Sequence, residues 1–512
     1  MNCQTVLILD FGGQYKELIA RRVRECGVYS IIKPYTITKE EIEKIAPIGM
    51  IFTGGPNSVY AEDSPVCDPA IFELGIPLLG ICYGMQLICH MQGGKVDSCE
   101  KSEYGAMKMN IVAESSLFKG MSESFNVLMS HTDRVYSLPS DFKATASTDT
   151  CPVASYSCDE RKIYGVQFHP EVEITENGTD VIRNFLYEVC GALGDYSMAD
   201  YLKTQIAAVR ERVDEDGRIL LGLSGGVDSS VCAALLSEAV GDRLVCIYID
   251  HGLMRKNETD EIRAVFEKRS LNFVYVDAEE RFLTRLKGVT DPEQKRKIIG
   301  DEFVRTFEDE AKKQGNPEFL AQGTIYPDIV ESGANKSAVI KSHHNVGGLP
   351  EKMSFKGVIE PLSGLFKDEV RKLGIMLGLP ETLVQRQPFP GPGLAIRIIG
   401  EITKEKCDIL RDADAIFRYE LMNSNDEAAR ADQYFAVLTD TKSVGVMGDF
   451  RTYDYTLALR AVRTSDFMTC EFARLPYEVL ARASSRITNE VSGINRVVYD
   501  VTSKPPATIE WE

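Results

Sequence analysis

The chain has no uninterrupted apolar run near the roughly 18 residues a membrane-spanning helix needs, so no membrane association is expected. It also lacks basic excess. Its 58 Lys and Arg stand against 76 Asp and Glu, a net charge of −18, the wrong sign for general binding to a nucleic-acid backbone. Small anionic nucleotides stay open, because loop amides and a few cations hold them locally. Cys-x-x-Cys pairs are absent, and the cysteine count of 13 is odd. In a chain this long, that fits reduced thiols in a cytoplasmic protein better than a disulfide framework. Most of the cysteines are expected to be small buried hydrophobes. His343-His344 lacks third and fourth partners at zinc spacing. Repeats and low-complexity tracts are missing. The opening residues 5–9 read as a first strand and not as a signal peptide.

What is present is ordinary globular composition, 44% hydrophobic and 26% charged, over 512 residues. That length is too great for one core and predicts two to four domains. Residues 1 to about 190 alternate short apolar runs (5–9, 50–52, 77–79, 163–168) with helical patterns. A linker-like stretch, 191–197, follows. A second alternating unit starts with a helix at 198–213 and has strands at 218–223, 244–249 and 272–276. Gln387-Pro388-Phe389-Pro390-Gly391-Pro392-Gly393 breaks regular structure. Beyond it the pattern predicts a strand at 394–399, a helix at 404–422, strands at 433–438 and 456–462, a helix at 476–491 and a strand at 496–501. The expected fold class is α/β: two consecutive α/β domains with mostly parallel sheets, 1–193 and 194–388, and a small C-terminal α+β domain, 389–512.

Gly80-Ile81-Cys82-Tyr83-Gly84 follows the apolar run 77–79 and precedes a helix-like stretch. A sharp strand-to-helix turn flanked by glycine presents a nucleophile, and nearby amides can hold an oxyanion. A helix N-terminus also favours the thiolate. Alone, the pattern suits a buried structural cysteine equally well. It gains weight from His169-Pro170-Glu171 at the end of the run 163–168. Catalytic groups of parallel sheets stand at such carboxyl ends. His169 as base and Glu171 as its orienter complete a triad in a cysteine version.

Ser224-Gly225-Gly226-Val227-Asp228-Ser229-Ser230 lies between an apolar strand and a helix at 231–240. Strand, small-residue loop and helix N-terminus make an anion site. The glycines admit phosphate oxygens, the serines add hydroxyl donors, and Asp228 can orient Mg²⁺, the usual companion of bound phosphates. The loop is not of the Gly-x4-Gly-Lys-Ser/Thr kind. Asp250 ends the next strand, where an adenosine would lie. The stretch 340–348, with Lys341, His343 and His344, is rich in glycine and cations, as a phosphate-covering lid would be, or it is a plain surface loop.

Residues 80–84, His169-Pro170-Glu171, Gly54-Gly55-Pro56-Asn57-Ser58 and Ser130-His131-Thr132-Asp133 resemble the class I glutamine amidotransferases over about residues 5–190. The resemblance implies a thioester on Cys82, acid–base work by His169 with Glu171, and an oxyanion hole from the amides of Gly55 and Tyr83. It also implies a glutamine pocket lined by Gln86 and a 130–133 loop carrying Ser130, His131 and Asp133. An N-terminal-nucleophile glutaminase needs Cys at position 2, which is Asn here. The loop 224–230 resembles that of the N-type ATP pyrophosphatases, which cleave ATP between the α- and β-phosphates. The order of the two parts, the stretch 386–397 and the ending Lys504-Pro505-Pro506-Ala507-Thr508-Ile509-Glu510-Trp511-Glu512 resemble the GMP synthetase family. That likeness implies glutamine, ATP with Mg²⁺ and xanthosine monophosphate (XMP) as small-molecule partners, no organic cofactor, and a homodimer through the C-terminal domain. It places XMP near Arg255, Lys504, Ile509 and Glu510. A nucleotide-binding regulator without activity, or an ammonia-only ligase with a vestigial glutaminase, are the alternatives.

Overall fold

The computed structural model describes residues 3–315, 317–333, 355–464 and 469–512. The chain divides into two compact units, Met1–Tyr201 and Leu202–Glu512. Among the described residues, no helix is long and apolar enough to cross a membrane.

The first unit is built on a nine-stranded sheet. Its strands are β1 (Thr5–Asp10), β2 (Tyr29–Pro34), β3 (Gly49–Phe52), β4 (Leu78–Ile81), β5 (Lys95–Ile111), β6 (Ser124–Ser137), β7 (Lys143–Ser147), β8 (Ser155–Cys158) and β9 (Ile163–Val166). The order is β2-β1-β3-β4-β9-β8-β7-β5-β6. The pairings from β2 to β9 are parallel. Of those strands, β1, β3, β4 and β9 are short, nearly fully buried runs, as expected inside a parallel sheet, while the edge strand β2 is partly exposed. From β9 outward the pairings are antiparallel. This wing was not expected. The long β5–β6 hairpin alternates buried and exposed residues, so no single stretch of it is apolar throughout.

The second unit has a five-stranded parallel sheet and a four-stranded sheet. The first holds β10 (Ile219–Leu223), β11 (Leu244–Asp250), β12 (Asn272–Asp277), β13 (Phe319–Ala321) and β14 (Gly357–Ile359) in the order β12-β11-β10-β13-β14. The chain builds outward from β10 to one side and then returns to build on the other. β10 is therefore the topological switch point, the place where ligands bind beyond the carboxyl ends of open α/β sheets. The second sheet holds β15 (Gln433–Met447), β16 (Phe450–Arg463), β17 (Glu471–Phe472) and β18 (Ile494–Asp500), with β18 parallel to β16. The helices Lys404–Met422 and Tyr477–Glu490 cover it, close to the expected bounds. One hydrophobic core runs through both sheets, from Leu220, Val245 and Ile247 to Leu410, Leu438, Leu457 and Ile494.

The strand expected at 394–399 is absent. Gly393–Arg397 is a 3₁₀ turn. Gly393 has φ +62°, and a Cβ there would stand 2.3 Å from Leu253 O, so the backbone is pressed against the 252–254 turn. Leu394 N donates to Leu253 O at 2.8 Å, a bond no strand neighbour supplies. Only Ile398 makes a strand-like bridge, to Leu438.

The C-terminal residues are ordered by buried arginine. Arg460 is fully buried and donates to the carbonyls of Thr502 (2.6 Å), Thr508 (3.1 Å) and Ile509 (3.2 Å). It also pairs with Asp500 at 3.0 Å. Arg460→Met keeps the bulk but strands Asp500 and three carbonyls. A loss of about 3 kcal/mol in the second unit is expected, the usual cost of breaking a buried pair from one side. Urea unfolding followed at Trp511, the chain's single tryptophan, checks it, because the Trp511 indole donates to Asp500 at 3.0 Å.

Candidate active sites

Cys82 follows β4 directly and caps the helix Tyr83–Met91. Its backbone sits at φ +50° and ψ −107°, the strained turn expected of a nucleophile elbow. The turn needs two close approaches. A Cβ on Gly80 would meet Met85 N at 2.6 Å, and one on Gly84 would meet Phe52 O at 2.5 Å. The Gly54-Gly55 loop lies alongside: a Cβ on Gly54 would stand 3.4 Å from His169 Cε1 and 3.8 Å from Cys82 Cβ.

β4 and β9 are parallel neighbours with Ile81 opposite Val166. The ladder runs one bond further, from Cys82 N to Val166 O at 2.8 Å. That register brings Cys82 and His169 together at one carboxyl edge. His169 and Glu171 are both buried, and Nδ1 of His169 meets Oε1 of Glu171 at 2.8 Å. Burial alone would lower the imidazole's pKa. The Glu171 carboxylate and the hydrogen bond to Cys82 outweigh it and hold His169 well above its ordinary value. Tyr15 packs edge-on against the imidazole, 5.2 Å between ring centres.

The 130–133 segment is not a loop but part of β6. Strand alternation turns His131 and Asp133 inward and the Ser130 side chain outward. Ser130 still reaches the nucleophile through its backbone, since Cys82 Sγ–H points at Ser130 O, 3.9 Å away. Gln86 is buried and donates to Asp133 O at 2.8 Å. The Asp133 carboxylate accepts from Tyr60 at 3.0 Å. His131 is pinned between Asp133 O (3.0 Å) and Glu103 (3.1 Å). Burial lowers its pKa against the pull of Glu103. Donor atoms of Glu103, His131 and Cys151 lie within 4.8 Å of one another. They are already engaged, since Glu103 accepts from Thr148 and Thr150 and the Cys151 thiol donates to Val153 O.

In the second unit the segment 224–230 lies at the carboxyl end of β10, and the helix expected from 231 starts earlier, at Val227, so that residues 227–230 form its first turn (Val227–Val240). Gly225 takes φ +79°. Ser224 and Ser229 bond each other at 3.0 Å, and Gly226 N donates to Ser224. Ser230 is turned into the core and its hydroxyl has no hydrogen-bond partner among the described residues. Asp228 receives Lys367 at 2.7 Å on both carboxylate oxygens. Lys367 was not foreseen: it is 139 positions away, at the start of the helix Lys367–Met376. Asp250 ends β11, with Gly252 N and Thr259 bonded to its carboxylate. Lys341 and the 340–348 stretch lie outside the described residues.

Arg255 is buried over the Phe389 ring, 4.2 Å from its centre, and gives one bond to Pro388 O. Its Nε and Nη1 have no partner among the described residues. Burial brings its pKa down to about 10, so it stays a cation at neutral pH. Glu510 takes a two-pronged pair from the fully buried Arg397 (3.0 and 2.7 Å) and a bond from Gln433 at 3.0 Å. Lys504 pairs with Cys470 in an isolated bridge, and Ile509 packs in a small core with Phe435 and Val462.

Comparison with known proteins assigns three segments of the chain to families. Residues 7–189 match the family described as glutamine amidotransferase class-I, 201–304 match NAD synthase, and 420–511 match the GMP synthase C terminal domain. Such a chain is an enzyme that couples glutamine hydrolysis to ATP-dependent amination. Proteins named GMP synthase [glutamine-hydrolyzing] align along the whole chain. That of Clostridium botulinum strain Eklund 17B is 58% identical over 515 residues, covering 100% of both chains. The Finegoldia magna protein is 59% identical over 518 residues, again with 100% coverage of both. The Treponema denticola protein is 61% identical over 509 residues, covering 99% of this chain and 97% of its own. The chain belongs to the glutamine-hydrolysing GMP synthase family.

Glu171→Gln removes the charge that raises the His169 pKa, so the imidazole should titrate at lower pH. The alkaline limb of the glutamine-hydrolysis profile should move down, and kcat should fall about 10²- to 10³-fold, the scale of a disabled acid–base partner. The stability effect has a definite sign. A raised imidazole stabilises the fold fully below its unfolded value of about 6.5, and that contribution disappears as pH climbs through the raised folded value. In the variant, this alkaline loss should flatten when melting is scanned against pH.

Proposed function

We propose that the two units divide one amination between them. In the first, the Cys82 thiolate attacks the side-chain amide of glutamine and forms a thioester. His169, steadied by Glu171, gives its proton to the departing ammonia and later takes one from the hydrolytic water. The amides of Gly55 and Tyr83 receive the oxyanion. Gln86, Ser130, His131 and Asp133 shape the glutamine pocket.

In the second, ATP lies over the loop 224–230 and Asp250, and its adenylyl group is transferred through the α-phosphorus to the C2 oxygen of XMP with release of pyrophosphate. Ammonia then displaces AMP to give GMP. Residues 194–388 handle ATP and 389–512 handle XMP and self-association. Asp228 suits Mg²⁺, which takes one or two carboxylates together with substrate phosphates and water, and Lys367 would share or yield that carboxylate. Bound there, Mg²⁺ would neutralise polyphosphate charge. Arg255 supports an anionic partner beside Phe389, since two of its buried donors are unfilled. Lys504, Ile509 and Glu510 close the same region. The observation that carries this reading is one chain holding both the Cys–His–Glu constellation and a phosphate loop at the switch point.

The test is a purified-enzyme assay with XMP, ATP and either glutamine or ammonium. Cys82→Ala should abolish glutamine-driven GMP synthesis and spare the ammonium-driven reaction. Asp228→Asn should depress both by orders of magnitude. Glutamine-driven turnover surviving in Cys82→Ala overturns the assignment.

Self-association is supported by the β15–β16 arm, where Val444, Val446, Phe450 and Tyr453 are all more than half exposed. Apolar patches of this kind mark protein interfaces. Phe450→Lys with Val446→Lys should shift the sedimentation of a homodimer to that of a monomer. The acidic balance supports a reading without nucleic-acid partners, and the cysteine usage supports one in the cytoplasm.

A further inference from the structure

Cys82 Sγ has a neighbour outside the triad. The Gln167 side chain, fully buried, places Nε2 3.7 Å from the sulfur. An amide can be reversed end for end, so the orientation needs an argument, and the surrounding bonds supply one. It starts at the carbonyl oxygen of Asp133, which can only accept. Two groups face that oxygen, Gln86 Nε2 at 2.8 Å and His131 Nδ1 at 3.0 Å. Both must donate. The Gln86 amide is thereby fixed with its nitrogen inward, and that nitrogen also reaches Gln167 Oε1 at 3.1 Å. Gln167 must therefore present its oxygen to Gln86 and its N–H to Cys82. The chain of fixed orientations runs through buried residues from one backbone oxygen to the nucleophile.

Beside its bond with His169, the sulfur has two hydrogen bonds with opposite demands. The neutral thiol can donate to Ser130 O. A thiolate cannot, and has use only for donors, to which bonds become charge-assisted. We infer that Gln167 is a further catalytic residue of the glutaminase site, donating its N–H to Cys82 Sγ and favouring the thiolate over the thiol. Gln86 is a positioning residue that keeps the amide turned the right way. This rests on Cys82 being the nucleophile.

The experiment uses the full chain without glutamine. Alkylation of each cysteine by iodoacetamide is followed by mass spectrometry from acid to alkaline pH. In the parent, Cys82 should react faster than the buried cysteines. Gln167→Met keeps the volume and removes the donor. It should slow Cys82 alkylation at neutral pH about tenfold, the worth of one charge-assisted bond, and displace the rate profile to higher pH. Gln86→Met leaves Gln167 in place but frees it to turn over, and a smaller displacement in the same direction is expected. If Gln167→Met does not fold, Gln86→Met decides alone. Steady-state kinetics of Gln167→Met should show the loss in kcat for glutamine, with KM kept within about twofold, since no substrate-binding group is removed. A fast parent Cys82 with unmoved profiles in the folded variants overturns the inference and leaves the nucleophile standing. A parent Cys82 no faster than its buried neighbours overturns both.

Discussion

The 2.8 Å hydrogen bond from Cys82 N to Val166 O is the contact on which the first site depends. It continues the β4–β9 ladder one residue past the end of β4 and so fixes the nucleophile's height against the strand that delivers His169. Parallel pairing makes this possible, because both chains leave the sheet at the same edge. A slip of one residue would turn the chain's side-chain faces over and carry Gln167 and His169 to the wrong sides. The left-handed backbone at Cys82 costs on the order of 1–3 kcal/mol, and the surrounding core, with Phe52, Tyr83 and Met85 fully buried, over-determines it.

The second unit solves a different problem, holding cations out of water. Arg255, Arg397 and Arg460 are all buried. Arg460 is matched by backbone carbonyls and Asp500, and Arg397 by Glu510 and the Phe435 face. Arg255 is matched only in part, by one carbonyl and the Phe389 ring. Arg255 and Arg397 each keep buried donors without a partner among the described residues, Nε and Nη1 in the first and Nη1 in the second. The terminal residues belong to this arrangement: Glu512 is gripped by Lys295 and Arg296 on the helix Pro292–Lys313.

Local signals in the sequence were enough for the elements that carry the sites. β1, β4, β9, β10 and β11 are short apolar runs, and nearly continuous burial leaves them few other readings. Cys82, His169 and Asp228 stood out as candidates because motif and strand end coincide. Two readings failed for one reason. At 394–399 and 130–133 local composition was overruled by distant backbone, Leu253 in the first case and β5 in the second. Lys367 and Glu103 were invisible because their partners, Asp228 and His131, lie 139 and 28 positions away. Gln167 stood inside a stretch already noticed, but its use emerges only from the bonding of Asp133 O.

The continuous core of the second unit bears on how the chain can be taken apart. Leu220 and Val245 of the phosphate-loop sheet share one apolar interior with Leu410, Leu457 and Ile494 of the terminal sheet. A gene cut near residue 388 would leave each fragment with a torn, sticky face, so neither is a natural building block. The first unit differs, since a cluster running from Leu7 to Ile163 packs within it. Shuffling, fusion or separate expression therefore has one natural seam, near Tyr201.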